Sequence, residues 1–215
     1  TLDLLTTPSM PEDLAVLIIA GAQQSLTSNE VDIIGRYLDG GGQVLILVNP
    51  NPPLGIRQLL SSRGINIEDG IVIDPSSYVS PNKHTPLVTE ERNYAGFENI
   101  LLPGATAIFP QSEYKPELVQ TAEGARVIWV SENNQTQMFL LLGATEEAWL
   151  EKDFDLLKEP EFDEGIDRQS PLALGYFIFT PLIDETGRLD EEKGATLVVI
   201  GDSDFASNDH FYNDN

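Results

Sequence analysis

The sequence predicts a single α/β domain over residues 1–215, built on a mainly parallel sheet flanked by helices, with a β-rich insertion over residues 105–143. Three observations predict it. LAVLIIA (residues 14–20) and QVLILV (residues 43–48) are short unbroken apolar runs, as strands buried on both faces are. The segment between them has the period and the caps of one amphipathic helix. The links are short, so the unit reads as a right-handed strand–helix–strand crossover, which makes its two strands parallel.

The helix is legible residue by residue. Thr27 and Glu30 have capping-box spacing, so a hydroxyl and a carboxylate can each satisfy a free backbone N–H. Val31, Ile34 and Leu38 fall on one stripe, and Gly40-Gly41-Gly42 closes the helix. The second strand ends in Asn49-Pro50-Asn51-Pro52-Pro53. GIRQLLSSRG then predicts a shorter helix stopped by Gly64. Residues 65–67 and 71–73 predict two small strands around the turn Glu68-Asp69-Gly70. Residues 74–103 are polar, carry Pro81 and Pro86, show no period that assigns them to helix or strand, and are expected to wrap the sheet ends. TAIF, PELVQTA, ARVIWV and QMFLLLG are strand-like, and TEEAWLEKD suggests a short helix or turn. Residues 153–169 read as a solvated acidic connection. PLALGYFIF and ATLVVI, separated by an acidic stretch, predict a hairpin with a long loop, and a closing helix is expected after Gly201.

Composition excludes several functions. Thirty-five acidic against 12 basic residues give a net charge of −23, which repels nucleic-acid backbones and anionic lipid surfaces. There is no cysteine, so disulfides, thiolate nucleophiles and Cys-ligated metals are absent together. Neither common glycine-rich phosphate loop occurs, and no cofactor is expected. No apolar run approaches the roughly 18 residues of a membrane span. The chain starts at Thr1 and reads as a soluble piece of something longer.

The stretch VVIGDSDFASN holds the main candidate site: Asp202, Ser203, Asp204 and Asn208. A serine nucleophile needs a histidine base oriented by an acid. His210 lies seven residues after Ser203, about two helical turns or ~10 Å of rise, beyond direct bonding. His84 would have to arrive through the fold, and no glycine follows the serine as a nucleophile elbow requires. A calcium loop would use Asp202, Asp204 and Asn208, but Ala206 and Ser207 stand where a ligand and the turn glycine belong, and Asn213 replaces the closing glutamate. The remaining reading is a strand-to-helix cap, in which Asp and Ser satisfy free N–H groups. Asp74, after IVI, and His84, in NKHTPLV, complete a candidate ligand groove beyond the strand ends. Trp129, Trp149 and Tyr176 are candidate liners of a small-molecule pocket or core residues.

LLTTPSMPEDLAVLIIAGAQQSLTSNEVDIIGRYLDGGGQVLILVNP resembles the opening of the gliding-motility-type ABC-transporter auxiliary component family. IVIDP, HTPLVT, LLGATEEAWLEKD, SPLALGYFI and VVIGDSDFASN follow in the same order, while residues 109–138 fall outside the matching blocks. The resemblance implies a flavodoxin-like or glutamine-amidotransferase-like sheet. It also implies a non-catalytic module on the extracytoplasmic side of a bacterial membrane, anchored by helices outside this sequence. Its implied partners are ABC permease and ATPase subunits or another envelope protein. Amidotransferase-like enzymes use a cysteine nucleophile, which this chain lacks. The alternatives are a Ser203 hydrolase and a small-ligand or divalent-cation domain.

Overall fold

The structure, a computed structural model, describes residues 2–4, 9–96, 98–121, 124–132, 135–183 and 186–208. The chain runs β1 (Leu17–Ala20), α1 (Ser28–Asp39), β2 (Gln43–Leu47), α2 (Leu54–Ser61), β3 (Ile65–Ile67) and β4 (Ile71–Ile73). Then come β5 (Tyr78–Val79), β6 (Asn82–Thr89), β7 (Asn99–Leu101), β8 (Ile108–Pro110), β9 (Tyr114–Thr121) and β10 (Gly124–Ser131). The last elements are β11 (Gln137–Gly143), β12 (Trp149–Glu151), β13 (Arg168–Gln169), β14 (Ala173–Ile183) and β15 (Leu189–Ile200).

The opening crossover forms in the expected order and sense, but β1 ends the strand order and is not buried on both faces, with Ile18 62% exposed. The Thr27 hydroxyl accepts the Glu30 N–H at 3.3 Å, and the Glu30 carboxylate accepts the Thr27 N–H at 2.7 Å. Ile33, Ile34 and Leu38 are buried, and β1 and β2 pair in parallel from Leu17↔Val44 to Ala20↔Leu47.

The rest of the sheet departs from the expected fold. The principal sheet has nine strands, seven of them in the order β1-β2-β15-β14-β11-β10-β9, with β8 and β3 attached to β14. Along that path only the β1–β2 and β2–β15 pairings are parallel, and the others are antiparallel. The fold is therefore β-rich with mixed and antiparallel sheets, not a helix-flanked parallel flavodoxin-like or amidotransferase-like one. The physical reason is the connections. Short links such as those of β9–β10, β10–β11 and β14–β15 can only return a strand antiparallel, whereas a parallel return needs a crossover of a dozen or more residues. Much of the long loop expected between β14 and β15 is strand, with Leu182↔Asp190 and Ile183↔Leu189 paired. β9, β10 and β11, within residues 105–143, extend the principal sheet: β11 pairs with β14 and carries β10 and β9 with it.

The two helices also lie on one side. Ile33, Ile34 and Leu38 of α1 and Ile56, Leu59 and Leu60 of α2 share one core with Val44, Ile46, Leu197 and Val199 of the sheet. A second core, with Leu142, Leu172 and Leu174, is covered by strands rather than helices: Val72 and Leu150 from the sheet β4-β12-β13, and Val88 and Ile100 from the sheet β5-β6-β7. Residues 74–103, which the sequence leaves unassigned, thus supply a three-stranded sheet. Trp149–Glu151, expected in a short helix or turn, is the strand β12, paired with β4. Of the closing helix expected after Gly201, the described residues hold the 3₁₀ turn Asp204–Ala206, and residues 209–215 lie outside them.

The capping box generates a direct test. Thr27→Ala should cost about 1 kcal/mol in urea unfolding with an unchanged m-value; an unchanged midpoint would show that packing alone sets where α1 begins.

Candidate functional site

The carboxyl ends of β1, β2 and β15 lie side by side, because the parallel register aligns Ala20, Leu47 and Ile200. The three connections that leave them meet there. Asn49, from the loop after β2, binds the loop after β15 twice. Its side-chain oxygen accepts the Ser203 N–H at 2.7 Å, and its amide nitrogen donates to Asp204 Oδ1 at 3.0 Å. Gly21 has φ +56°, and a Cβ there would stand 2.7 Å from Ser203 Oγ. Gly201 is held by its neighbours: its N–H donates to the Leu174 carbonyl at 2.8 Å, and its carbonyl accepts the Thr106 N–H at 2.7 Å. A Cβ at Gly201 would overlap the Thr106 carbonyl oxygen, so only glycine fits.

Asp202 is fully buried. Its Oδ1 accepts the Asp204 N–H at 2.6 Å, while its Oδ2 is buried without a hydrogen-bond partner. Burial, with the neighbouring Asp204 carboxylate adding to it, pushes the Asp202 carboxyl up to about 7 despite backbone N–H groups that favour the charge. Ser203 is half-buried, and its hydroxyl lies 3.4 Å from Asp204 Oδ1. Asn208 is exposed beyond the 3₁₀ turn. His210 and Asn213 lie outside the described residues. Beside this junction is a small cavity of about 80 Å³, lined by residues that include Ile19, Gln23, Asn49 and Asn51.

The other two sequence candidates have partners elsewhere. His84 belongs to β6, where its ring packs on Phe154 with centroids 5.2 Å apart, and burial lowers its pKa. Asp74, at the end of β4, is buried and fully engaged. Its Oδ1 accepts the N–H groups of Ser76 and Ser77 at 3.1 and 3.0 Å and the Thr145 hydroxyl at 2.7 Å, and its Oδ2 accepts the Thr145 N–H at 2.9 Å. The structure therefore joins Ser203 and Asp204 to Asn49, Asp202 to Asp204, and Asp74 to Thr145. Sequence reading passed over Asn49. Its one visible signal is a polar side chain at the exit of a buried strand, directly before a proline.

The aromatic candidates belong to packing. Tyr176 is buried in the first core with Trp129 against it, and burial pushes its phenol up to about 12. Trp149 is buried, and its ring N–H donates to Glu151 Oε2 at 3.0 Å. That glutamate stands with Asp153 and Asp167 in a trio whose ligand atoms lie within 4.8 Å of one another. Asp167 already accepts the N–H groups of Lys152 and Asp163, at 2.9 and 2.8 Å, so the trio is engaged by the protein itself.

The family model described as an ABC-type uncharacterized transport system matches residues 1–215. No curated protein matches the chain. Among solved structures, the mmIFT52 N-terminal domain is similar at 14% identity with a TM-score of 0.54, over 94% of this chain and 71% of that one, a likeness of fold.

Asp202 makes stability depend on pH with a definite sign. Its folded pKa of about 7 lies above the unfolded value near 3.8, so between those values the folded state holds a proton that the unfolded state has released. Stability from this group is greatest below pH 4 and falls as pH rises toward 7. Relative to the parent chain, Asp202→Asn should gain on the order of a few kcal/mol on going from pH 4 to pH 7.5. Urea unfolding at both pH values checks this, and a constant difference between the two chains would contradict it. The same relief means that Asp202→Ala need not show the loss of a simple cap at neutral pH.

Proposed function

The chain belongs to the family described as an ABC-type uncharacterized transport system, and from that premise we propose that it is a non-catalytic auxiliary module held outside the cytoplasm. In this reading it works with the permease and ATPase subunits of its transporter, docking on the permease or on another envelope protein, in a system serving transport or motility. The observation that carries the reading is a family match spanning the whole sequence. No helix among the described residues is long and apolar enough to cross a membrane. In the proposed reading, attachment to the bilayer comes from segments outside this sequence.

The strand-end loop supports a non-catalytic role. A nucleophilic serine needs a base within about 3 Å and an acid behind it. The Ser203 hydroxyl has instead an acidic neighbour, Asp204, and the His84 ring is packed against Phe154. The loop's polar groups join strands: Asn49 ties β2 to β15, and Asp202 turns its carboxyl inward. Ser203→Ala should leave the parent transporter active, and the domain should take no label from a fluorophosphonate probe. A labelled band that disappears in Ser203→Ala would replace this reading with a hydrolase.

Location has its own test, in which the parent protein without the substitution is the control, because within this sequence an introduced cysteine has no other beside it. Leu157 is 94% exposed, so Leu157→Cys should remain folded. In intact cells that make the parent protein, a membrane-impermeant maleimide should label this cysteine. Labelling only after lysis would place the domain in the cytoplasm and contradict the proposal.

A further inference from the structure

A groove of about 1220 Å³ lies away from the strand-end junction. It is lined by the turn Glu90–Arg92 and the start of β7, by the loop after β11, and by the residues entering β14. Its wall is built by buried polar links. The Tyr94 N–H donates to the Leu141 carbonyl at 2.8 Å, and Asn93 bridges to Leu142. The buried Asp74 carboxylate takes hydrogen bonds from Ser76, Ser77 and Thr145, all three of which line the groove. The Ser170 hydroxyl adds a bond to the Thr145 carbonyl at 2.7 Å. Asp74 is thus the clamp beneath the groove, with both carboxylate oxygens bonded to its wall.

Five glutamates stand on this wall: Glu90, Glu91, Glu98, Glu146 and Glu147. All are exposed, and none makes a side-chain hydrogen bond or ion pair among the described residues. Arg92 is the one basic residue of the lining. Carboxylates on a convex surface would be ordinary solvated charge. Here they line a concavity, where low-dielectric walls focus the field and raise the local concentration of cations. Between them are an exposed Pro171, a half-buried Leu140 and a Tyr94 that is 43% exposed, with the Arg126 guanidinium 5.1 Å from the centroid of that ring. That mixture suits lysine and arginine, whose aliphatic stems cover apolar surface while their charged heads reach acidic partners. The groove is larger than the roughly 300–1,000 Å³ of small-molecule pockets, so its occupant is a stretch of chain rather than a metabolite.

We propose that this groove is the docking surface for an extended lysine- and arginine-bearing segment of a partner protein. The inference rests on the auxiliary-module reading above and supplies the chemistry of the contact. Calorimetric titration of the domain with a blocked, extended peptide carrying lysine at alternate positions tests it, with spermine as the small polycation. Binding should be one-to-one and should weaken with salt. Glu90→Gln, Glu91→Gln, Glu98→Gln, Glu146→Gln and Glu147→Gln together should weaken it about tenfold. Amide substitutions at the exposed Glu12, Asp13, Glu117, Glu161 and Glu164 remove equal charge and should change it by less than about twofold. Equal losses in both sets, spermine binding as tight as the peptide's, or no peptide binding would each overturn the inference. Peptide binding through the groove without association with transporter subunits would spare the groove and remove the module reading. Association that survives the five groove substitutions would do the reverse.

Discussion

The fold depends on one strand, β15, which pairs in two senses at once. On one edge it lies parallel to β2, from Thr196↔Gln43 to Ile200↔Leu47, and on the other antiparallel to β14, from Gly175↔Ile200 outward. Its alternation serves both cores: Ala195, Leu197 and Val199 face the helices, while Ile200 packs against the strand-covered side. A strand placed so must end where three layers meet. Gly201 is needed because the Leu174 and Thr106 backbones close on it, and the polar residues that follow satisfy N–H groups that the meeting exposes. The Gly-Asp-Ser-Asp stretch is what this junction requires.

Two buried aspartates show how burial divides structural from sensitive roles. Both oxygens of Asp74 are bonded, and the residue fixes one loop against another. Asp202 keeps one oxygen unpaired, and burial leaves its carboxyl near the neutral range. The first holds the wall of a large acidic groove, and the second holds a tight joint beside a small cavity. A docking module needs both, a rigid frame and a surface with room for a partner.

Local signals in the sequence were readable where one segment decides its own structure. The capping box of α1, the apolar runs of β1 and β2, and the β14–β15 hairpin all carry their instructions within a few residues. Sheet sense did not extrapolate, because whether a strand returns parallel depends on the connection and not on the strand. The β5-β6-β7 sheet was hidden by prolines: Pro86 lies within β6 opposite Tyr78, beside an irregular step in the ladder. At the candidate site, Asp202, Ser203 and Asp204 were adjacent in sequence and so easy to single out. Asn49 lies more than 150 residues from them and is brought in by the β2–β15 register. The groove glutamates come from segments around residues 90–98 and 146–147, and no window of sequence holds them together.

The central claim is that partners meet this domain at the Asp74-clamped groove and that the strand-end junction is a structural joint. Site-specific photo-crosslinking in cells that make the parent protein tests it most directly, with the crosslinker at the exposed Asn99 in the groove or at the exposed Asn51 at the strand ends. Docking through the groove predicts adducts with a subunit of the transporter from Asn99 and none from Asn51. Adducts from Asn51 alone would contradict it and return the strand ends to the centre of function.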